Sequence, residues 1–289
     1  MDLTHCTLCP NECGIDRHTH AGRCHMTAEA RICRVALHAW EEPIISGTRG
    51  SGTIFFAGCS LSCVFCQNYE ISHAAVGRLY TVNDIIRAMK ELVDRGAHNI
   101  NFVNPTHYAH VLKEVLTCYK PPVPVVYNTG GYDKPSTLRE LDGLVDAYLP
   151  DFKYMFSETA LRYSGHADYP EIAKAALDEM YRQVGPVQVI DGILQRGMIV
   201  RHLVLPGRSE EGVRVMEYLT DRYGDHIYIS AMSQYTPHGN LAGCPEINRK
   251  IKPIEYKRVV AALQRAGVKN CFVQEQDSSS ENYIPPFEL

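Results

Sequence analysis

From residue 51 onward the chain alternates short, almost wholly apolar runs with stretches whose apolar residues recur at helical spacing. That alternation restricts the fold more than any other feature, because strands separated by helices pair in parallel through right-handed crossovers. The strand-like runs are 52–57, 99–104, 123–128, 145–151, 197–205, 226–232 and 270–274, six plus one. They are near-continuously apolar, as strands are when both faces are covered. Between the first two, TVNDIIRAMKELVDRGA sets Val82, Ile85, Ile86, Met89, Leu92 and Val93 at helical spacing, and Thr81 with Asp84 predicts a capping box. A second helix is predicted over 169–185, with Tyr169, Ile172, Ala173, Ala176, Leu177 and Met180 on one face, and others over 209–223 and 254–266. No internal repeat or long linker interrupts this order, and 289 residues suffice to bury a full core. The tail SSSENYIPPFEL reads as a strap rather than a domain.

A net charge of −4 with 21% charged residues offers no basic excess for nucleic acid. No run of 18 apolar residues is present, and the start MDLTHCTLCPNECG is unlike a signal peptide, so a cytoplasmic chain with no membrane partner is expected. Of the 11 cysteines, eight precede residue 67. In a reducing compartment such a group reads as metal ligands rather than as a disulfide framework.

Three of them, Cys59, Cys63 and Cys66, follow the first strand-like run directly in GTIFFAGCSLSCVFCQNYEIS. The spacing C-x3-C-x2-C can hold three irons of a [4Fe–4S] cluster, which ordinarily takes four cysteines. The fourth iron is then open to a ligand that is not protein, which suits a catalyst better than an electron carrier. The bland alternative is a zinc site or a group of buried thiols, but zinc usually pairs C-x2–4-C with a second pair.

A second group, Cys6, Cys9, Cys13 and Cys24, stands in CTLCPNECGIDRHTHAGRC. Its spacing C-x2-C-x3-C-x10-C supplies four ligands, enough for a structural zinc ion or a second iron–sulfur cluster, and does not separate the two. Pro10, Gly14 and Gly22 provide turns, and metal would contribute folding energy to a stretch with few apolar positions. Cys33 and His5, His18, His20 and His25 are spare ligands, the histidines reading as solvated surface. Residues 1–48 are therefore expected to form a cysteine-rich metal-binding segment, and 49–289 an α/β barrel with a C-terminal extension.

In α/β barrels chemistry sits at the C-terminal ends of the strands, where the triplet lies. The other strand ends carry Asn104, Thr106 and His107; Asn128, Thr129 and Gly130-Gly131; Asp151 and Lys153, two apart and so on one side of an extended chain; Arg201 and His202, pointing to opposite faces; and Gln234 with Tyr235. Asp151, Lys153 and Arg201 are costly to bury unpaired, so they neutralise one another or meet a zwitterionic ligand. Cys118 and Cys271 read as core, and Cys244 as a loop residue near the barrel mouth.

The triplet, with Phe65 before its last cysteine, resembles the radical S-adenosylmethionine (SAM) signature. Together with EEPIISGTRGSGTIFFAGC, NPTHY, VYNTGGYD, YLPDFKY, RQVG, VRHLVLPG and the leading C-x2-C-P-x2-C-G, it is similar to the pyruvate formate-lyase activating enzyme-like group, over nearly the whole chain. The resemblance implies a partial (β/α)6 barrel and a [4Fe–4S] cluster whose open iron is chelated by SAM. It implies reductive cleavage of SAM to a 5′-deoxyadenosyl radical that abstracts hydrogen, with an electron donor such as flavodoxin or ferredoxin. Carried to matching positions, Lys153 and His202 contact SAM, with Phe65, Asn104, Thr106, Asn128, Asp151, Arg201 and Gln234 as further cofactor-binding candidates. Where the wider family carries Gly-Gly-Glu for the SAM amino group, this chain has Asn104-Pro105-Thr106, which lacks the acidic charge. Its extra cysteines precede the triplet, whereas activases that carry an insert place it afterwards. Substrates consistent with the resemblance are a glycyl radical enzyme, another protein or a small molecule. A non-catalytic iron–sulfur or zinc protein is the alternative of another class.

Overall fold

A computed structural model describes residues 1–274; the tail singled out above lies outside the described residues. The elements in chain order are β1 (Ala30–His38), α1 (Pro43–Ser46), β2 (Ser51–Phe56), α2 (Tyr69–Ser72), β3 (Arg78–Tyr80), α3 (Val82–Asp94), β4 (Ile100–Val103), α4 (Ala109–Cys118) and β5 (Val125–Thr129). They continue with α5 (Pro135–Arg139), β6 (Ala147–Pro150), α6 (Ser157–Ser164), α7 (Tyr169–Val184), β7 (Gln188–Ile190), β8 (Ile193–Leu203), α8 (Ser209–Tyr223), β9 (Tyr228–Met232), α9 (Pro253–Ala266) and β10 (Cys271–Val273).

The strands form one sheet in the order β10-β9-β8-β6-β5-β4-β2-β1-β3, with β7 paired to β8. From β2 to β10 the neighbours in this path run parallel, as the alternation implied, in the partial α/β barrel that the resemblance implied. All seven strand-like runs are present, and the four helices read from periodicity recur as α3, α7, α8 and α9. The α3 capping box forms: the Thr81 hydroxyl accepts from the Asp84 amide at 3.2 Å, and Asp84 accepts from the Thr81 amide at 3.0 Å.

Antiparallel additions enlarge this frame beyond what periodicity showed. β1 pairs with β2 from Ile32–Phe56 to His38–Ser51, so part of the cysteine-rich segment shares the barrel's sheet. Its Cys24, Met26, Ala30, Ile32 and Cys33 join the main core, to which Phe56, Phe102 and Tyr108 also belong. Cys33 is thus a buried strand residue. Cys118 corrects the expectation of a core position: it is exposed at the end of α4.

Strand alternation sorts residues between two environments. Tyr127, Tyr148, Met198, Val200 and His202 face the helices, and the first four and their neighbours build the main core. Val126, Ala147, Leu149 and Ile199 face the concave side, where they pack on Ile45 of α1. The link between β1 and β2 therefore crosses the concave side and closes its base with Ile44 and Ile45. One step further along the same strands stand Asn128, Asp151 and Arg201.

Candidate active site

A cavity of ≈ 220 Å³ opens on the concave side at the strand ends, lined by Cys59, Cys63 and Cys66 on one wall and by Asn128, Asp151, Lys153 and Arg201 on the other. Phe65, Asn104 and Gln234 line it too, so seven of the nine proposed cofactor contacts meet there. Thr106 and His202 do not line it. The Thr106 hydroxyl is committed to buried Asp133 at 2.8 Å, which also accepts from Tyr127 and Thr129 at 2.9 and 2.6 Å. His202 faces α8 by strand alternation; its Nδ1 lies 2.8 Å from the Phe152 carbonyl oxygen, and burial lowers its pKa to about 4. His202 thus stands on the helix side of β8, outside the lining of the cavity. The departure at 104–106 has a local explanation: Asn104 adopts φ 58°, and its amide donates to the Gly58 carbonyl at 2.5 Å, holding the turn that leads into Cys59.

The triplet loop presents its sulfurs to a sparse set of donors. The Leu61 amide donates to Cys59 Sγ at 3.4 Å, and the Tyr154 hydroxyl to Cys63 Sγ at 3.3 Å. Burial pushes the Cys63 thiol up to about 12 and raises Cys66, each aggravated by the neighbouring thiols. The raised Cys63 and Cys66 thiols keep their protons unless a cation takes their place. Phe65 packs edge-on against Tyr154, Tyr163 and Tyr235, fixing the loop between the last two cysteines.

Opposite lies a chain of charges. Arg201 donates from Nε to Asp151 at 2.8 Å, from Nη2 to Asn128 at 2.7 Å and from Nη1 to Glu41 at 3.2 Å. Lys153 closes on the other carboxylate oxygen of Asp151. Burial opposes the charge of Asp151, but Arg201 and Lys153 outweigh it and hold the carboxyl below its ordinary range. Burial likewise opposes the Lys153 ammonium, and Asp151 holds it above the lysine range. Glu41 and Glu42 run the other way: burial raises both carboxyls despite Arg201. Three carboxyls thus face two cations, a set able to exchange internal pairs for the ammonium and carboxylate of a zwitterion.

Glu41 was not singled out by periodicity or spacing. It lies in the link that crosses the concave side, and its Oε1 accepts from Asn101 and Asn128 at 3.3 and 3.2 Å. Trp40 beside it lines the cavity and is 62% exposed. Tyr154 stood inside the quoted YLPDFKY, but its reach to Cys63 spans 91 positions of sequence and leaves no local signal.

Residues 53–219, from β2 through most of α8, match the radical SAM superfamily. The chain belongs to that superfamily. Its members are enzymes that use a [4Fe–4S] cluster and SAM, and the donor set here fits both: three thiols on one wall without a fourth cysteine, and paired charges of both signs across from them. Cys59, Cys63 and Cys66 would hold the cluster, and Asn128, Asp151, Lys153 and Arg201 face the space beside it. An uncharacterized protein of Methanocaldococcus jannaschii is 28% identical over 270 residues, 90% of this chain and 74% of that one. The structure of SuiB from Streptococcus suis bound to its precursor peptide SuiA superposes with a TM-score of 0.52 at 14% identity, over 75% of this chain and 46% of SuiB. SuiB has also been solved with SAM bound, at TM-score 0.50 and 14% identity, over 75% of this chain and 48% of that one. Methylornithine synthase PylB reaches 0.50 at 14% identity, over 74% of this chain and 62% of PylB. At these identities the likeness is one of fold, and the chain spans about half the length of SuiB. Among the described residues no helix is long and apolar enough to cross a membrane.

Proposed function

We propose that this radical SAM protein generates a 5′-deoxyadenosyl radical and uses it to take hydrogen from a polypeptide, in the manner of an activating enzyme. The observation that carries the reading is the single cavity shared by the three thiols and the Asp151–Lys153–Arg201 chain. When bound, a reduced cluster supplies the electron that cleaves the SAM sulfonium. This chain's own part is to bind and orient. Lys153 offers an ammonium to a carboxylate, Asp151 and Glu41 offer carboxylates to an amine or ribose hydroxyls, and Asn128 hydrogen-bonds beside them. The apolar wall of buried Phe55 and Val103 and half-buried Leu203 keeps water from a reactive carbon centre.

Two things support a polypeptide substrate: the long segments shared with the activating-enzyme-like group, and the peptide-bound state of SuiB. The one-electron donor is of the flavodoxin or ferredoxin class. Anaerobic incubation of reconstituted protein with SAM and dithionite should yield 5′-deoxyadenosine, and Cys63→Ala should abolish it. Unchanged SAM turnover by cluster-free protein would sink the proposal. A non-catalytic iron–sulfur protein would instead show no change in its paramagnetic resonance spectrum when SAM is added.

A further inference from the structure

The carboxyls at the floor of the cavity are not answered equally by its two cations. Asp151 takes both, with Arg201 Nε on one oxygen at 2.8 Å and Lys153 on the other. Glu41 is left with a share of the same guanidinium, Nη1 at 3.2 Å, while Nη2 goes to Asn128. Glu42 is 9% exposed, with Arg201 and Glu41 as its charged neighbours, and its Oε2 has no hydrogen-bond partner among the described residues.

A second orphaned acceptor stands beside them. Asn101 is fully buried and pairs with Val126 across β4 and β5, so it shares the concave side. Its amide nitrogen donates to Glu41 at 3.3 Å, and its Oδ1 has no partner among the described residues. Buried acceptors left without a donor are costly, and so is a buried carboxylate left without a cation. The floor around Glu41 is therefore built for a guest that brings both N–H groups and positive charge.

The charges also run away from the triplet. A Cβ on Gly130 would stand 3.5 Å from Lys153 Cε and 3.7 Å from Leu61 Cδ2, which sets Lys153 beside the triplet loop. Glu41 lies at the far end of the chain Lys153–Asp151–Arg201, on the link from β1 to β2 that also brings His38 and Trp40 to the cavity. His38 stands edge-on to Phe55 there, ring centres 6.3 Å apart, and Trp40 is 62% exposed. An indole face beside carboxyls grips a cation from two sides, by charge and by the ring's electron-rich face. We propose that this end of the cavity binds the cationic side chain of an arginine or lysine in the polypeptide substrate, with Glu41 and Glu42 meeting its N–H groups and Trp40 covering its charge. Asp151 and Lys153, nearer the triplet, remain for SAM. That the cation belongs to a polypeptide rests on the function proposed above, whereas the cation site does not.

The probes are Nα-acetyl-arginine amide and Nα-acetyl-lysine amide, with Nα-acetyl-citrulline amide and Nα-acetyl-norleucine amide as their neutral counterparts. Each is titrated into the anaerobically reconstituted full chain, with and without saturating SAM. Trp40 is the chain's only tryptophan, so its emission reads this end of the cavity directly. With SAM present, a cationic probe should bind about tenfold or more tightly than its neutral counterpart, the worth of a charge-assisted hydrogen bond. Which of the two does so tells arginine from lysine. Glu41→Gln should remove that preference, whereas a general loosening of the site would weaken charged and neutral probes alike. Trp40→Leu, followed by calorimetry, should weaken the cationic probe by roughly threefold. No preference in the wild type overturns the site and leaves water as the guest of the orphaned acceptors. A preference seen only without SAM overturns it as well, because the carboxyls then serve the ammonium of SAM itself, and one that survives Glu41→Gln overturns the part given to Glu41. Formation of 5′-deoxyadenosine from SAM and dithionite is followed in parallel samples. Its formation without a charge preference overturns the cation site alone; a charge preference without it overturns the proposed function and leaves the cation site standing.

Discussion

Arg201→Met removes the cation that joins Glu41 to Asp151. The three side chains are 15%, 10% and 15% exposed, so water screens little of what remains. Two buried carboxylates then face Lys153 alone, with Glu42 beside them. Breaking a buried pair by deleting one partner typically costs about 3–5 kcal/mol, and that range is expected here. Glu41→Gln should cost about 1 kcal/mol or less, because it removes one carboxyl from an excess while keeping hydrogen-bonding atoms for Asn101 and Asn128. The double variant should then be more stable than Arg201→Met alone by about 1–2 kcal/mol, the sign of a shared network. The penalty also carries a pH dependence. An orphaned carboxyl has its folded-state pKa raised above the unfolded value, so the folded state binds more protons and the loss shrinks as pH falls from about 8 to about 6. Urea unfolding followed by circular dichroism under anaerobic conditions, at both pH values, measures all of this. A loss below about 1 kcal/mol for Arg201→Met, or a double variant no better than the single, would refute the coupling.

Gly131 has φ 80°, and a Cβ there would lie 2.1 Å from the Asp151 carbonyl oxygen. Gly131→Ala should therefore cost about 2–4 kcal/mol and weaken SAM binding measured by calorimetry, because the strand carrying Asp151 and Lys153 must move. His202, lowered to about 4 by burial, folds neutral, so the stability it supports is present above the ordinary pKa of 6.5 and is lost as pH falls towards about 4. That is worth roughly 3 kcal/mol, and His202→Asn should flatten acid unfolding over this window; an unchanged slope would refute it. Tyr154→Phe deletes the hydroxyl donor to Cys63 Sγ and should lower the reduction potential of the triplet's cluster, read by a redox titration monitored by paramagnetic resonance. A potential that stays put would mean the hydroxyl does not tune that sulfur.

Much of this protein was legible in one dimension because the signals concerned are local. Seven apolar runs became the parallel strands, since a strand flanked by helices must be apolar on both faces, and α3 began at its capping box. The triplet follows β2 within a few residues, so strand and loop alone set Cys59, Cys63 and Cys66 at the barrel's C-terminal end. The opposite orientation of Arg201 and His202 followed from strand alternation, although alternation could not say which of them met the cavity. That choice belongs to the curvature of the sheet, which put Arg201 on the concave side with Asp151 and left His202 under α8. Thr106 was drawn away in the same fashion by Asp133, a partner visible only once β4 and β5 are side by side. Glu41 and Tyr154 are the clearest cases, since each reaches its partner across a stretch of chain that only folding closes. The sequence by itself determined the elements, their order and the ligand-bearing loop, because propensity, capping and alternation act over a few residues. Only the tertiary structure decided which charges share the cavity, because burial and pairing depend on atoms brought together from distant strands.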